Sequence, residues 1–219
     1  MSTAASPVAI WGTGGHPISV LDTALANHIH EIVFVDAEAH AEIFEGFPLI
    51  SYEDLVKNST IYQWVIAVGD NSTRQHISLE LGEAIPDIAF TTLVHPSATV
   101  SSSAHVAPGT VIFQGAIVGA KANIGRHCII STGASMNHES RIGDFSSLAP
   151  RAVTGGRVTI GDRSAIGIAA AIRHGINIGH DSVVDSACYD HPDLPENVVA
   201  YGIPAQIIRS RAADDSYLA

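Results

Sequence analysis

Two cysteines in 219 residues, Cys128 and Cys188, leave no basis for a disulfide framework and suit a reducing compartment. Basic residues are scarce: 11 Lys and Arg face 22 Asp and Glu, and the net charge of −11 argues against nucleic acid or an anionic membrane as partner. No uninterrupted apolar run is long enough to span a bilayer, and no Arg-led apolar segment opens the sequence, so a soluble, cytoplasmic protein is expected. Nor does any Pro/Ser/Gly-rich linker divide the chain. Two parts, if present, should be rigidly joined.

What the sequence does have is a period of six. From Val94 an aliphatic residue returns at Val100, Val106, Ile112 and every sixth position through Val184, and of these sixteen positions only Thr154 is not Val, Ile, Leu or Met. Four residues after each comes a mostly small residue, such as Ala98, Ala116, Cys128, Ala134 and Ser146, and one after it Gly recurs, as at Gly119, Gly125, Gly143, Gly155 and Gly161. Six is neither the helical period nor strand alternation. It is the signature of a hexapeptide β-helix, in which each unit supplies a short strand and a turn and three units close a triangular coil, so that residues 18 apart stack. Glycine is expected to relieve the turns. Residues 94 to 184 carry seven basic and four acidic side chains, a balance of +3, which leaves −14 for the remainder and suits an anionic ligand on the repeats. An open last coil invites aggregation, and a cap is expected over roughly residues 190 to 210.

Before the repeats, the apolar runs Val8–Trp11, Ile32–Asp36 and Val65–Val68 alternate with helical patterns, which indicates a small parallel α/β sheet. The first run enters Gly12-Thr13-Gly14-Gly15-His16, where glycines free backbone N–H groups for a phosphate. A dinucleotide fingerprint needs a small residue at position 17, where Pro17 stands, and ~90 residues fall short of two mononucleotide halves. That argues against NAD. A nucleotide moiety fits better, with Gly12 to His16 around its phosphates and Asp36 near base or ribose.

Within the repeats one turn departs from small and aliphatic residues: Asn137-His138-Glu139-Ser140. The coil-mate of His138 is Gly156, preceded by Gly155, so the space beside the imidazole is expected to be empty of side chain. A histidine with a carboxylate neighbour and an open slot is a candidate general base. A backbone N–H near Gly155-Gly156 is a candidate oxyanion donor.

The Gly-x-Gly-Gly-His α/β domain, Asn137-His138-Glu139, the run Thr154-Gly155-Gly156-Arg157-Val158-Thr159-Ile160-Gly161 and the ending Val199-Ala200-Tyr201-Gly202-Ile203-Pro204-Ala205 together resemble the bacterial nucleotide-sugar acetyltransferases of the PglD and NeuD type, over about residues 7 to 208. The resemblance implies an α/β nucleotide-sugar-binding domain with a small Rossmann-like parallel sheet over residues 1–93 and a left-handed parallel β-helix with a C-terminal cap over 94–219. It implies a homotrimer with acetyl-CoA between subunits and no metal. It puts catalysis on His138 and Glu139, and the sugar nucleotide on Gly14, Gly15, His16, Asp36, Gly69 and Asn71. Acetyl-CoA falls to Asn137, Ser147, Gly155, Gly156 and Ile168. The acceptor implied is the amine of a nucleotide-linked sugar, most often a UDP-4-amino-4,6-dideoxy sugar. Two departures are Gln206, where Lys commonly follows Pro-Ala, and Ser147, where a histidine sometimes stands.

Three other readings compete on the same residues: a sugar O-acetyltransferase of the sialic-acid type, a non-catalytic sugar-nucleotide-binding protein, and a zinc carbonic anhydrase. The last is disfavoured because His174 stacks two coils from His138, about 9.6 Å by strand spacing, too far for one metal.

Overall fold

A computed structural model describes residues 7–56, 62–188 and 193–216. The first part is a six-stranded sheet in the order β3-β4-β2-β1-β5-β6. Its strands are β1 (Val8–Trp11), β2 (Ile32–Asp36), β3 (Ile43–Phe44), β4 (Phe47–Ser51), β5 (Gln63–Ile66) and β6 (Ala89–Phe90). All pairings are parallel except the β3–β4 hairpin. Helices α1 (Gly15–Ala26), α2 (Tyr52–Val56) and α3 (Asn71–Ala84) complete it. The central strands β1 and β5 are apolar because both sides of the sheet are covered: Ile10 and Val65 pack with α1, while Trp64 and Ile66 pack with Ile77 and Leu81 of α3.

The second part is a left-handed parallel β-helix of sixteen two-residue strands, β7 (Leu93–Val94) to β22 (Val183–Val184). Each strand pairs with the one 18 residues on, as Val111↔Ile129 and Ile124↔Ile142 show, and the strands form three faces. The second residue of each strand is the aliphatic of the six-residue period and points inward: Ile112, Val118, Ile124, Ile130, Met136, Leu148 and Ile160 are all essentially buried. Each such side chain contributes about 1.5–3 kcal/mol by burial.

The glycines that recur one past the aliphatic do not relieve the turns; the left-handed turn position is three past it, where Gly109, Gly115, Gly133 and Gly175 do so in four coils with φ of 78, 67, 65 and 73°. Lys121, Glu139, Arg151, Arg157 and Arg163, three residues past the inward aliphatic, take the left-handed conformation, with φ of 58, 58, 60, 58 and 54°. The recurrent glycines sit two residues earlier, where the coils touch. A Cβ on Gly119, Gly143 or Gly161 would lie 2.7, 2.6 or 2.4 Å from a backbone nitrogen of the next coil. The residue is needed for close approach between layers. Thr154, the exception to the aliphatic register, is fully buried and accepts a 3.2 Å hydrogen bond from the Asn137 amide of the preceding coil.

The outward residues distinguish the three faces. On the first face Leu93, Val111 and Ile129 are buried in one cluster with Val8, Ile10 and Val20, so the α/β unit covers that face. On the third face His105, Asn123, Arg141, Thr159 and Asn177 are polar and exposed. The second face has no charged outward residue and is uncovered: Ile117 is 49% and Val153 41% exposed, beside Thr99, Ser135 and Ala171. At the end of the prism β23 (Val198–Gly202) pairs in parallel with Val183–Val184, and β24 (Ala205–Ser210) folds back antiparallel on it. Residues 190–192 of the expected cap lie outside the described residues.

Candidate active site

His138 stands on the turn between the second and third faces. Its Nδ1 lies 3.2 Å from Glu139 Oε2, and its amide donates to Asn137 Oδ1 at 3.0 Å. With the carboxylate ionised, Nδ1 carries the proton and Nε2 keeps a lone pair. The slot beside the ring is not open space, because the imidazole itself fills it. A Cβ on Gly156 would lie 2.4 Å from both Cε1 and Nε2, so only glycine there leaves the ring its place. The Gly155 amide donates to Ile172 O at 2.8 Å within the coil ladder, which removes it as an oxyanion donor. Its lack of a side chain serves His174, whose backbone nitrogen would lie 2.5 Å from a Cβ.

The other corner of the second face, next to the α/β unit, holds a cavity of about 210 Å³ lined by His16, Gly69, Ile129, Ser131, Ser147, Ala149, Pro150 and Ile168. Four residues singled out in the sequence therefore meet there: His16, Gly69, Ser147 and Ile168. His16 Nε2 is buried and has no partner among the described residues. Its ring meets Phe113 edge-on at 5.5 Å. Burial, helped by the Arg74 guanidinium, lowers its pKa to about 4, so the imidazole is neutral at pH 7. A buried neutral ring with an unpartnered nitrogen on a cavity wall is equipped to hydrogen-bond a ligand.

Gly14 is the N-cap of α1 and has no side chain to cap with; beside both Gly14 and Gly15 a Cβ would meet nothing within 4 Å. The first turn of α1 is thus open to an anion. Asp36 ends β2 with both oxygens engaged, one by Thr13 Oγ1 at 2.5 Å and one by the Ala37 amide at 2.8 Å. Asn71 does not join these groups. It is 2% exposed, donates to the carbonyls of Arg163 and Ser164 at 3.2 and 3.1 Å, and accepts from Arg74. Its observed place is the seam between the α/β unit and the β-helix.

Sequence reasoning missed Arg74, the centre of that seam. It is 1% exposed and donates to the carbonyls of Val68 and Gly69 on one side and of His127 and Phe145 on the other. No local pattern marks it, because an arginine in a helix's first turn ordinarily faces water. Beside it His127, 3% exposed, stacks on Phe145 at 5.0 Å.

Within one chain, then, the site residues fall into two groups on the two corners that border the uncovered second face. Fold and groups together define a hexapeptide-repeat acyltransferase carrying a nucleotide-binding α/β unit. The PglD N-terminal domain family matches residues 7–81. UDP-N-acetylbacillosamine N-acetyltransferase of Bacillus subtilis is 39% identical over 112 residues, 48% of this chain and 50% of that protein. The match thus spans about half the length of that curated relative. Among solved structures, PerB from Caulobacter crescentus in complex with CoA and GDP-perosamine is 30% identical, with a TM-score of 0.86 over 95% of this chain and 100% of that one. The acetyltransferase domain of PglB from Neisseria gonorrhoeae in complex with acetyl coenzyme A is 29% identical, with a TM-score of 0.87 over 93% and 99%. The chain belongs to this family, the PglD/NeuD-type nucleotide-sugar N-acetyltransferases.

Proposed function

We propose that this enzyme transfers the acetyl group of acetyl-CoA directly to the amine of a nucleotide-linked amino sugar, in cytoplasmic glycan-precursor synthesis. His138 is the general base. The observation that carries the reading is the His138–Glu139 pair seated on Gly156, with Nδ1 held at 3.2 Å by the carboxylate. As the amine nitrogen attacks the thioester carbonyl, His138 Nε2 takes its proton, and Glu139 stabilises the imidazolium that forms. Collapse of the tetrahedral intermediate forms the amide and breaks the C–S bond, and the proton passes to the CoA thiolate. The sugar nucleotide lies between the α1 N-terminus and the His16 cavity, with Asp36 near base or ribose. Asn71, spent on the seam, supports the site from behind.

The two corners become one site in a homotrimer. If the second face, with Ile117 and Val153 exposed, turns toward a threefold axis, the corner bearing His138 in one subunit meets the corner bearing His16, Ser147 and Ile168 in the next. Burial of that face gives the association its driving force. Acetyl-CoA then lies between subunits, against Asn137, Gly155 and Gly156 of one and Ser147 and Ile168 of the other.

The test is free-thiol release from acetyl-CoA in the presence of UDP-, GDP- and dTDP-linked amino sugars, a UDP-4-amino-4,6-dideoxy sugar first, with sialic acid included. Release with one nucleotide amino sugar alone supports the reading. Release with sialic acid alone makes the enzyme an O-acetyltransferase, and no release with any acceptor overturns the proposal.

A further inference from the structure

The eleven basic residues of the chain are not used alike. Arg126 pairs with Asp144 at 3.1 Å, Arg163 with Asp181 and Arg209 with Asp215. Arg74 and Arg211 are buried and donate into backbone carbonyls, and Arg173 is engaged too. By contrast, the side chains of Lys121, Arg141, Arg151 and Arg157 make no hydrogen bond or ion pair among the described residues.

Three of these four stand in the layers next to His138 or in its own coil. Lys121 and Arg157 occupy the slot of Glu139 in the preceding and following coils, 18 residues either way, and all three share φ of 58°. Arg141 opens the strand that follows the His138 turn in the same coil and pairs with Asn123 and Thr159 of the adjoining layers. With layers about 4.8 Å apart, the backbones of all three residues stand within one layer of His138. Glu139, the acid between them, is turned onto His138 Nδ1 and makes no ion pair with either flanking cation. In a chain of net charge −11, three cations gathered around a single acid that is itself turned onto a histidine leave a local excess of positive charge suited to an anion. The planar guanidinium of arginine matches phosphate oxygens two at a time.

We propose that Lys121, Arg141 and Arg157 form a cationic collar around His138 that takes a phosphate group of one of the two co-substrates. The inference rests on the acetyltransferase reading above. Both co-substrates bring a diphosphate, and acetyl-CoA adds a 3′-phosphate. The chemistry recognised is the same, and the source is what the experiment separates.

The experiment compares the full-length wild type with Arg157→Gln, the Lys121→Gln/Arg157→Gln double variant, Arg157→Lys and, as a control of equal charge change at a paired corner, Arg126→Gln. KM and kcat are read for acetyl-CoA, for 3′-dephospho-acetyl-CoA and for the nucleotide amino sugar. Loss of one charge-assisted contact raises KM for one co-substrate about tenfold or more, with kcat changed far less. Arg157→Lys recovers part of the loss, and Arg126→Gln behaves as wild type. A rise for acetyl-CoA that vanishes with the dephospho form identifies the 3′-phosphate, and a rise for both forms identifies the donor's diphosphate. A rise for the sugar nucleotide alone identifies the acceptor's. Unchanged KM values in the double variant overturn the collar. If the wild type turns over no acceptor, the acetyltransferase reading fails on its own, and calorimetric titration with CoA and with UDP then decides. Weaker binding by the double variant supports the collar; equal affinity, or no binding by either protein, overturns it.

Discussion

His138-Glu139 and His180-Asp181 are the same words in the same slot of the repeat, seven units apart, and the structure gives them different chemistry. His138 has one carboxylate on Nδ1, a glycine under its ring and, among the described residues, no partner on Nε2. His180 has Asp181 on Nδ1 at 2.8 Å and Glu196 on Nε2 at 2.5 Å, while Asp181 is shared with Arg163. Carboxylates engage both nitrogens of the second imidazole, and its pKa is raised, first by the Asp181 hydrogen bond. Neither nitrogen is left for a substrate. The difference teaches that a histidine–acid pair in a β-helix turn is available as a base only where its surroundings leave the far nitrogen unclaimed.

Four measurements press on that contrast. The largest effect is expected from His138→Ala, which should lower kcat by about 10²–10⁴ with the thermal melting curve unchanged, while His180→Ala leaves kcat within about twofold. If both variants lose activity alike, the contrast is wrong. Next, Gly156→Ala places a methyl 2.4 Å from the His138 ring and must rotate it off Glu139. A loss of roughly 10² in kcat is expected from a misplacement of that order. Wild-type kcat in this variant would mean the ring works from another position.

The third is a stability measurement on the buried histidines. Burial holds His16 and His127 at pKa values of about 4, below the 6.5 of an unfolded chain. The unfolded state therefore takes up protons first, and each site should cost about 3 kcal/mol of stability as pH falls from 6.5 to 4, with no further loss below. Denaturant melts at pH 7 and pH 4.5 read this, and His127→Phe should flatten the acid limb by about one histidine's share. His180 has the opposite sign. Its raised pKa adds stability that is present below pH 6.5 and fades as pH rises through the raised value. Being partly exposed, the pair is worth about 1 kcal/mol or less, so His180→Ala should differ from wild type at pH 6 and match it at pH 9.

The repeat is legible in the sequence because burial acts on every sixth residue through sixteen consecutive strands, and the family motifs lie in the first strand–helix turn, in the coils and in the capping strand that follows them. The reason for the glycines is not legible. A gap between layers and a left-handed turn both ask for the same residue, and only the structure shows Lys121 and Arg157 carrying the positive φ while Gly119 and Gly155 carry the contact. Arg74 and Asn71 are illegible for another reason: their partners, the carbonyls of His127, Phe145, Arg163 and Ser164, lie 53 to 93 residues away and leave no periodic trace. The pairing of His180 with Glu196 likewise depends on how the cap folds back.

The first face of the prism carries a consequence for how the chain is made and broken. Its outward Leu93, Val111 and Ile129 share one apolar cluster with Val8, Ile10 and Val20, and Arg74 satisfies carbonyls on both sides of the same boundary. Cutting the chain near residue 93 would expose an oily stripe on each fragment and strand a buried guanidinium on one of them. The two parts are therefore expected to melt as one cooperative unit, in a single calorimetric transition, and neither half is expected to serve as a free-standing module for grafting onto another protein.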